Sequence, residues 1–148
     1  MIPDGHCELC QQPGGEILWQ DSLCRVVRVA GREALDHPGL CRVIWNAHVR
    51  EMTDLGVGER RNLMALVFAT ETALRRLYQA DKINLASLGN LVPHLHWHVI
   101  PRYADDRHFP APIWAEPRRA SSPERAEVAS AALHGAISEA LAEEQGGA

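Results

Sequence analysis

The chain has 148 residues, 46% of them hydrophobic, and a formal net charge of −4 at pH 7. This length suits one globular domain with its own core, and the absence of a basic block argues against a protein that binds nucleic acid. The N-terminus shows no signal peptide and no apolar run long enough to span a bilayer, so we expect a soluble cytoplasmic protein without a membrane partner.

The first half of the chain predicts three short strands joined by turns. A turn-rich lead-in comes first, and runs of β-branched and apolar residues then alternate with Gly, Pro, Asp and Ser, which is typical of neighbouring strands. The predicted strands lie at residues 16–20, 23–29 and 40–45.

The second half of the chain predicts a long helix, two more strands and a second helix. Leucines recur at helical spacing over residues 59–79, which predicts an amphipathic helix. Strands are predicted at 82–86 and over the histidine-rich stretch 94–100. Ser121 stands three residues before Glu124, as in a capping box, and predicts the start of the second helix.

This order of elements predicts an α+β fold in which an antiparallel sheet of about five strands packs against one long central helix and a C-terminal helix. We expect the main domain to span residues 1–120, with residues 1–15 as an N-terminal segment that carries two cysteines. Residues 121–148 are predicted to form the C-terminal helix, with a tail from 143 to 148 that frays.

The stretch from His94 to Pro101 carries the strongest chemical signal. His94, His96 and His98 alternate with apolar residues, so a strand places the three imidazoles on one face and the apolar side chains on the other. Proline donates no ladder hydrogen bond, so Pro101 is expected to end the strand. Histidine serves as nucleophile, acid, base or metal ligand, and three in strict alternation indicate a functional site.

Two of the four cysteines form a CxxC motif. Cys24 and Cys41 lie in apolar strand-like runs and are expected in the core. Cys7 and Cys10 can aim two thiolates at one point, which is typical of a metal knuckle that takes two further ligands from elsewhere. A redox role would need the motif between a strand and a helix of a βαβ unit, which the sequence does not predict.

The histidine stretch, His-Leu-His-Trp-His-Val-Ile at 94–100, resembles the HxHxHxx signature of the histidine triad (HIT) superfamily of nucleotide hydrolases and transferases. The CxxC motif, the Pro-Gly-x-x-x-Val-Ile run at 38–44, His48 after that run and the Pro-Arg pair at 101–102 resemble the same family. The resemblance implies a HIT-like fold and a homodimer, for which the helix at 59–79 is the expected contact.

The resemblance also implies a covalent mechanism. His96 would attack the α-phosphorus of a nucleotide substrate and form a nucleotidyl-histidine that water hydrolyses. His98 would bind a phosphate oxygen or assist the leaving group, and Asn84 and Asn90 would donate hydrogen bonds to the phosphate. The implied activity is that of a nucleoside phosphoramidase or a dinucleoside polyphosphate hydrolase. The alternative is a nucleotide- or metal-binding module with little or no turnover.

A structural zinc ion is implied in the same way, with the ligands Cys7, Cys10, His48 and His94. Two thiolates and two imidazoles make a closed tetrahedral site, which is structural rather than catalytic. Two alternatives stay open: a knuckle without metal, or a catalytic metal on all three triad histidines, which would leave the CxxC motif unexplained.

The sequence departs from the family pattern where substrate is expected to bind. Val29 stands where an acid or amide usually binds the ribose, and Leu91 replaces the hydroxyl residue before the triad, so the identity of the nucleoside is open. After the triad, Trp114 can cap a pocket or contact a second subunit. His37 and His108 are expected to be exposed loop residues.

Overall fold

Five strands form one antiparallel sheet, which confirms the predicted α+β fold. The computed structural model describes residues 5–147. Residues 1–4, at the start of the predicted main domain, and residue 148, at the end of the predicted C-terminal helix, lie outside the described residues. The strands are β1 (Glu16–Gln20), β2 (Cys24–Arg28), β3 (Cys41–Trp45), β4 (Lys82–Ala86) and β5 (His96–Arg102). Their spatial order is β1-β2-β3-β5-β4, so β5 lies between β3 and β4.

Helices lie before, between and after the strands. They are α1 (Glu8–Gln11), α2 (Arg32–Asp36), α3 (Val57–Tyr78) and α4 (Ser130–Gly146), with a short 3-10 turn at Met52–Asp54. The long helix α3 confirms the prediction, whereas α1 and α2 are single turns that the sequence pattern did not predict. Among the described residues, no helix is both long enough and apolar enough to cross a membrane.

The two faces of the sheet have different neighbours. Leu95, Trp97 and Val99 pack into the main core, which the apolar faces of α3 and α4 complete. His96 and His98 project from the opposite face, because successive side chains on a strand alternate. The predicted alternation along β5 is therefore confirmed, and it leaves the histidine face open for a site.

The histidine strand differs from the prediction at both ends. It begins at His96, so His94 precedes the strand and does not continue the row of imidazoles. It also runs through Pro101 to Arg102. Pairing between β3 and β5 stops at Val99, so the missing N–H of Pro101 removes no hydrogen bond to β3.

The C-terminal helix begins at Ser130, and the predicted start at Ser121 is wrong. Residues before the helix are held in a non-helical form because the neighbouring Ser122 hydroxyl is bonded to two backbone groups of nearby loops. The helix then continues to Gly146, so residues 143–146, which were expected to fray, are helical.

Candidate active site and metal centre

A cleft of about 340 Å³ lies on the histidine face of the sheet. It is lined by His96 and His98 of β5 and by Arg42 of β3, with further walls from α1, the loop at 88–92 and Trp114. A concave site of this size that combines apolar walls with a few polar groups is typical of a small-molecule pocket.

His96 is held in the tautomer of a nucleophile. Its Nδ1 lies 2.5 Å from the backbone oxygen of His94, and since a carbonyl only accepts, Nδ1 carries the proton and Nε2 keeps its lone pair. Burial lowers the pKa of His96 below its usual value, with the charge of Arg42 acting in the same direction. At neutral pH the side chain is therefore a neutral base whose Nε2 can attack an electrophile.

His98 lies one pleat further along the same face. Its ring centroid is 5.0 Å from that of His96 and 5.0 Å from the ring of Trp114. Burial, with help from the neighbouring charges, lowers the pKa of His98 to about 4. Its Nδ1 is buried and has no hydrogen-bond partner among the described residues. At neutral pH this imidazole is uncharged, so it can donate a hydrogen bond to an anion but holds no spare proton.

His94 turns away from the other two triad histidines. Its Nε2 donates to the backbone oxygen of Trp45 at 2.6 Å, which leaves the lone pair of Nδ1 directed at two thiols. The Sγ atoms of Cys7 and Cys10 lie 3.3 and 3.5 Å from this Nδ1. In metal centres, the ring nitrogen of a ligand histidine that does not bind the metal usually donates a hydrogen bond to a carbonyl or carboxylate.

The four predicted ligands come together. One donor atom from each of Cys7, Cys10, His48 and His94 lies within 4.8 Å of all the others, and Sγ of Cys10 is 3.4 Å from Nδ1 of His48. A tetrahedral ion bound by sulfur and nitrogen at ordinary zinc distances separates such atoms by about 3.5 Å. The cluster therefore has the donor types and the spacing of a metal site.

The CxxC segment is fixed to the sheet by a buried arginine that the sequence analysis did not identify. Arg25 of β2 donates to the backbone oxygens of Leu9 at 2.7 Å and Pro13 at 2.9 Å, and to Oδ1 of Asn46 at 2.9 Å. A charged hydrogen bond to a carbonyl is stronger than a neutral one. Arg25 thus positions α1, and with it Cys10, against β2.

The two asparagines predicted to bind substrate have different surroundings. Asn90 lines the cleft. Asn84 lies on β4 opposite Ile100, which places it on the histidine face, but its Oδ1 accepts a hydrogen bond from Arg102 at 2.8 Å. Only the amide nitrogen of Asn84 is left to donate to a ligand.

The segment that carries Trp114 is anchored by a buried ion pair. Arg102 donates to both carboxylate oxygens of Asp106, at 2.8 and 3.1 Å, and to the backbone oxygen of Ala111 at 2.7 Å. Hydrogen bonds from Arg102 and from the backbone lower the pKa of Asp106 to about 2. This anchor keeps the segment against the sheet and Trp114 over His98.

The expectation that His37 and His108 are exposed is wrong. Both are buried, and Nε2 of His37 lies 2.9 Å from Nδ1 of His108. Nδ1 of His37 lies 4.0 Å from the carboxylate of Asp106, and burial lowers the pKa of His37 to about 4. A lone histidine in a loop carries no pattern from which this network could have been predicted.

The two departures from the family pattern lie in different places. Val29 is buried in a small apolar cluster with Leu40, Ile100 and Ile113. Leu91 lines the cleft and is 97% exposed. The cleft therefore has an apolar rim at Leu91, whereas Val29 is not among the residues that line it.

A larger cavity, of about 690 Å³, lies between α2, the end of β2 and residues 124–127. Three of its polar groups contact one another, since Arg28 bonds Glu16 at 2.7 Å and also approaches the hydroxyl of Tyr78. No histidine or cysteine lines this cavity, so the smaller cleft is the better candidate for chemistry.

Comparisons with known proteins identify the same histidine triad as the sequence motif. The family model of the HIT domain matches residues 17–105. A histidine triad protein from Bradyrhizobium japonicum is 25% identical, with a TM-score of 0.63 over 89% of this chain and 91% of that chain. A histidine triad protein from Marinobacter aquaeolei is 26% identical, with a TM-score of 0.65 over 88% of this chain and 91% of that chain.

A more distant structure shares the fold. A hypothetical histidine triad nucleotide-binding protein from Sulfolobus tokodaii is 19% identical, with a TM-score of 0.60 over 93% of each chain. No curated protein matches the chain. The residues matched by the family model contain α3, the strands β2 to β5 and all three triad histidines, and the chain belongs to the HIT family.

Proposed function

We propose that this protein is a nucleotide hydrolase that cleaves at the α-phosphate through a covalent nucleotidyl intermediate on His96. The observation that carries the proposal is the hydrogen bond from Nδ1 of His96 to the carbonyl of His94, which leaves the Nε2 lone pair of a neutral, buried imidazole at a cleft. Such an imidazole is a competent nucleophile toward phosphorus.

The reaction has two displacements at phosphorus. In the first, Nε2 of His96 forms a bond to the α-phosphorus, and the bond from phosphorus to the leaving nitrogen or oxygen breaks with its electron pair. The leaving group takes a proton from solvent as its pKa requires. In the second, a water oxygen bonds to phosphorus, the P–N bond returns its electrons to Nε2, and the water proton is released. The proton stays bound to Nδ1 of His96 throughout, hydrogen-bonded to the carbonyl of His94.

His98 and the asparagines are assigned to the phosphate. The pKa of His98, about 4, makes its imidazole neutral at neutral pH. A neutral imidazole keeps one N–H, and this N–H donates a hydrogen bond to a phosphate oxygen. Asn90 donates from the rim of the cleft, and Asn84 donates through its amide nitrogen. Donors that face developing negative charge stabilise the transition state.

The metal is assigned as zinc with a structural role. The donors Cys7, Cys10, His48 and His94 suit zinc, and four protein ligands leave no position for substrate. When bound, the ion supplies a rigid cross-link between the N-terminal segment and the triad. In the reaction, the four ligand residues hold the backbone of His94 in place. Its carbonyl oxygen accepts the hydrogen bond from Nδ1 of His96.

The substrate and the assembly are proposed from the family. The relative from Sulfolobus tokodaii is named a nucleotide-binding protein, which supports a nucleotide as the ligand of this cleft. A homodimer through α3 is supported by Val57 and Phe68, two large apolar side chains of this helix that are exposed in the single chain. Light scattering of the purified protein, with Phe68→Glu as the variant, tests the dimer.

The decisive experiment is a test for the covalent intermediate. Wild type and His96→Ala are mixed for seconds with adenosine phosphoramidate or diadenosine tetraphosphate and quenched in acid-free denaturant. Mass spectrometry then gives the mass of the intact protein, and the release of AMP is followed in parallel. We expect a nucleotidyl adduct and AMP release in wild type and neither in His96→Ala. The matched control is His134→Gln, a histidine on α4 that bonds the backbone of Leu18, which keeps both signals.

The alternative of a binding module predicts another result. Leu91 at the cleft rim and Val29 in an apolar cluster remove two groups that family members use for substrate, which favours ligand retention without turnover. If wild type binds nucleotides with the affinity of the His96→Ala variant and forms no adduct with either substrate, the hydrolase proposal is wrong.

A further inference from the structure

Arg42 is the cation of the cleft. It lies on β3 with His98 as its Cα partner, so the two side chains are neighbours on the same face of the sheet. It lines the same cleft as His96 and His98. Glu8 is the other charged residue of this lining, and no ion pair joins it to Arg42 among the described residues.

The guanidinium of Arg42 has weaker partners than the other arginines of the sheet. Its Nη1 lies 3.4 Å from the backbone oxygen of Gly14, and its Nη2 lies 3.8 Å from a carboxylate oxygen of Glu33. Its Nε is buried without a hydrogen-bond partner among the described residues. By contrast, Arg25 and Arg102 each make several hydrogen bonds of 2.7 to 2.9 Å.

An arginine with unused guanidinium donors is suited to bind a phosphate group. A guanidinium presents five donors in a planar fork that matches phosphate oxygens, and Arg42 uses few of them within the chain. Arg42 is the only arginine or lysine among the described residues that line this cleft, and a guanidinium carries a full positive charge. The positive charge available to an anion beside the nucleophile is therefore that of Arg42.

The charge matters most for one class of leaving group. A nucleoside phosphoramidate loses an uncharged amine, whereas a phosphoanhydride loses an anionic phosphate or nucleotide. A cation next to His98 does little for the first and offsets the charge of the second.

We propose that Arg42 selects the leaving group by binding the anionic phosphate attached to the α-phosphate, so that the protein acts on nucleoside polyphosphates in preference to phosphoramidates. This inference rests on the proposed function and narrows its substrate class. In the first displacement, the bond from Nε2 of His96 to the α-phosphorus forms, and the bond to the bridging oxygen breaks. The electron pair stays on that oxygen, whose charge Arg42 offsets.

The test compares Arg42→Gln, Arg42→Lys and the wild type on diadenosine tetraphosphate and adenosine phosphoramidate at pH 8. We expect Arg42→Gln to lower kcat/KM for the polyphosphate by about 10- to 100-fold, the size of a lost charged hydrogen bond, and to change the phosphoramidate value by less than about 3-fold. Arg42→Lys recovers part of the loss. The matched control is Arg61→Gln, an exposed arginine of α3.

Binding of inert ligands separates this inference from the hydrolase proposal. Calorimetry gives the Kd of AMP and of α,β-methylene-ADP, which carries one further phosphonate and resists cleavage. We expect the wild type to prefer the methylene analogue by about 10-fold or more and Arg42→Gln to lose most of that preference. If the preference holds without any turnover, the hydrolase proposal fails, and what stands is that Arg42 binds the second anionic group.

Three results overturn the inference. Equal losses on both substrates would mean that Arg42 acts on the α-phosphate or on the histidines. A wild type that prefers the phosphoramidate, or binds AMP as tightly as the methylene analogue, has no selection for a second anionic group. A protein that binds neither ligand and cleaves neither substrate refutes both proposals.

Discussion

The backbone oxygen of His94 accepts a hydrogen bond from Nδ1 of His96 at 2.5 Å, while the imidazole of the same His94 lies against the thiols of Cys7 and Cys10. His94 therefore belongs to the candidate metal site through its side chain and contacts His96 through its backbone. A change in the cluster can reach His96 without passing through any other residue.

This link predicts that metal loss lowers activity by misplacing His96. Cys10→Ser removes one thiolate, and we expect loss of about one equivalent of zinc, a lower Tm and a fall in kcat of about 10-fold or more, the usual range when a group that orients an active residue is lost. Metal analysis of the purified protein, thermal unfolding and turnover measure the three effects.

Cys24→Ser is the matched control for this prediction. Cys24 is buried in the main core and does not belong to the cluster of Cys7, Cys10, His48 and His94. We expect its substitution to lower stability through an unpaired hydroxyl and to leave the zinc content unchanged. Full activity in a metal-free Cys10→Ser protein would show that the cluster does not act on His96.

Arg25→Met is predicted to weaken the metal site from a distance. The variant keeps the buried hydrocarbon volume but removes the donors to the backbone oxygens of Leu9 and Pro13, so α1 is released from β2. We expect zinc affinity to fall about 10-fold and the N-terminal segment to be cut faster by protease. Competition with a chromophoric chelator and timed proteolysis measure these effects, and Arg61→Met, on the exposed face of α3, leaves both unchanged.

The sheet and the clustering of Cys7, Cys10, His48 and His94 could be predicted from the sequence, because the sheet follows from repeating patterns and the cluster from a family motif. Alternation along β5 gave the histidine face, and helical spacing gave α3. The position of His94 could not be predicted in this way, because alternation alone continues the row, whereas its imidazole turns to meet Cys7 and Cys10. That orientation depends on a long-range contact that no local pattern contains.

The roles of single charged and polar residues could not be predicted either, because they also depend on long-range contacts. Arg25 and Arg42 read as ordinary polar positions in apolar strands, yet one holds α1 and the other lines the cleft. The burial of His37 depends on its distant neighbours Asp106 and His108. The predicted start of α4 at Ser121 was wrong, although the capping pattern is present. The hydrogen bonds of the neighbouring Ser122 to the backbone of two loops hold this segment outside the helix.

The buried histidines predict a stability that depends on pH. The folded-state pKa of His37 and of His98 is about 4, and the ordinary value is 6.5. Between these values the unfolded chain binds protons that the folded chain does not. Stability is therefore complete above pH 6.5, falls as the pH is lowered toward 4 and then levels for these two groups, with a slope of at most about 1.4 kcal/mol per pH unit for each histidine.

Urea unfolding at pH 7.5, 6, 5 and 4.5 measures this slope, and His37→Gln reduces it by the share of one histidine. Asp106, whose pKa is lowered to about 2, stays ionised across this window and adds its own loss only at lower pH. A stability that is constant from pH 7.5 to 4.5 would contradict the burial of both imidazoles in their neutral form.

Asp106→Asn is predicted to destabilise the protein strongly. The change leaves the buried guanidinium of Arg102 without its carboxylate, and breaking a buried ion pair from one side costs about 3 to 5 kcal/mol. The neighbouring Asp105→Asn is the control: its side chain is 61% exposed and pairs with Arg125, so we expect a cost below about 1 kcal/mol. Denaturant unfolding of the two variants gives both values.

Trp114 offers a direct optical test of the cleft. It is 47% exposed and its ring lies 5.0 Å from that of His98, so a ligand bound beside His98 changes its environment. The other tryptophans, Trp19, Trp45 and Trp97, pack against or within the main core on the opposite face. We expect AMP to change the fluorescence of the wild type with a saturable dependence, and Trp114→Phe to abolish that change while calorimetry still detects binding. A signal that survives in Trp114→Phe would place the nucleotide away from this cleft.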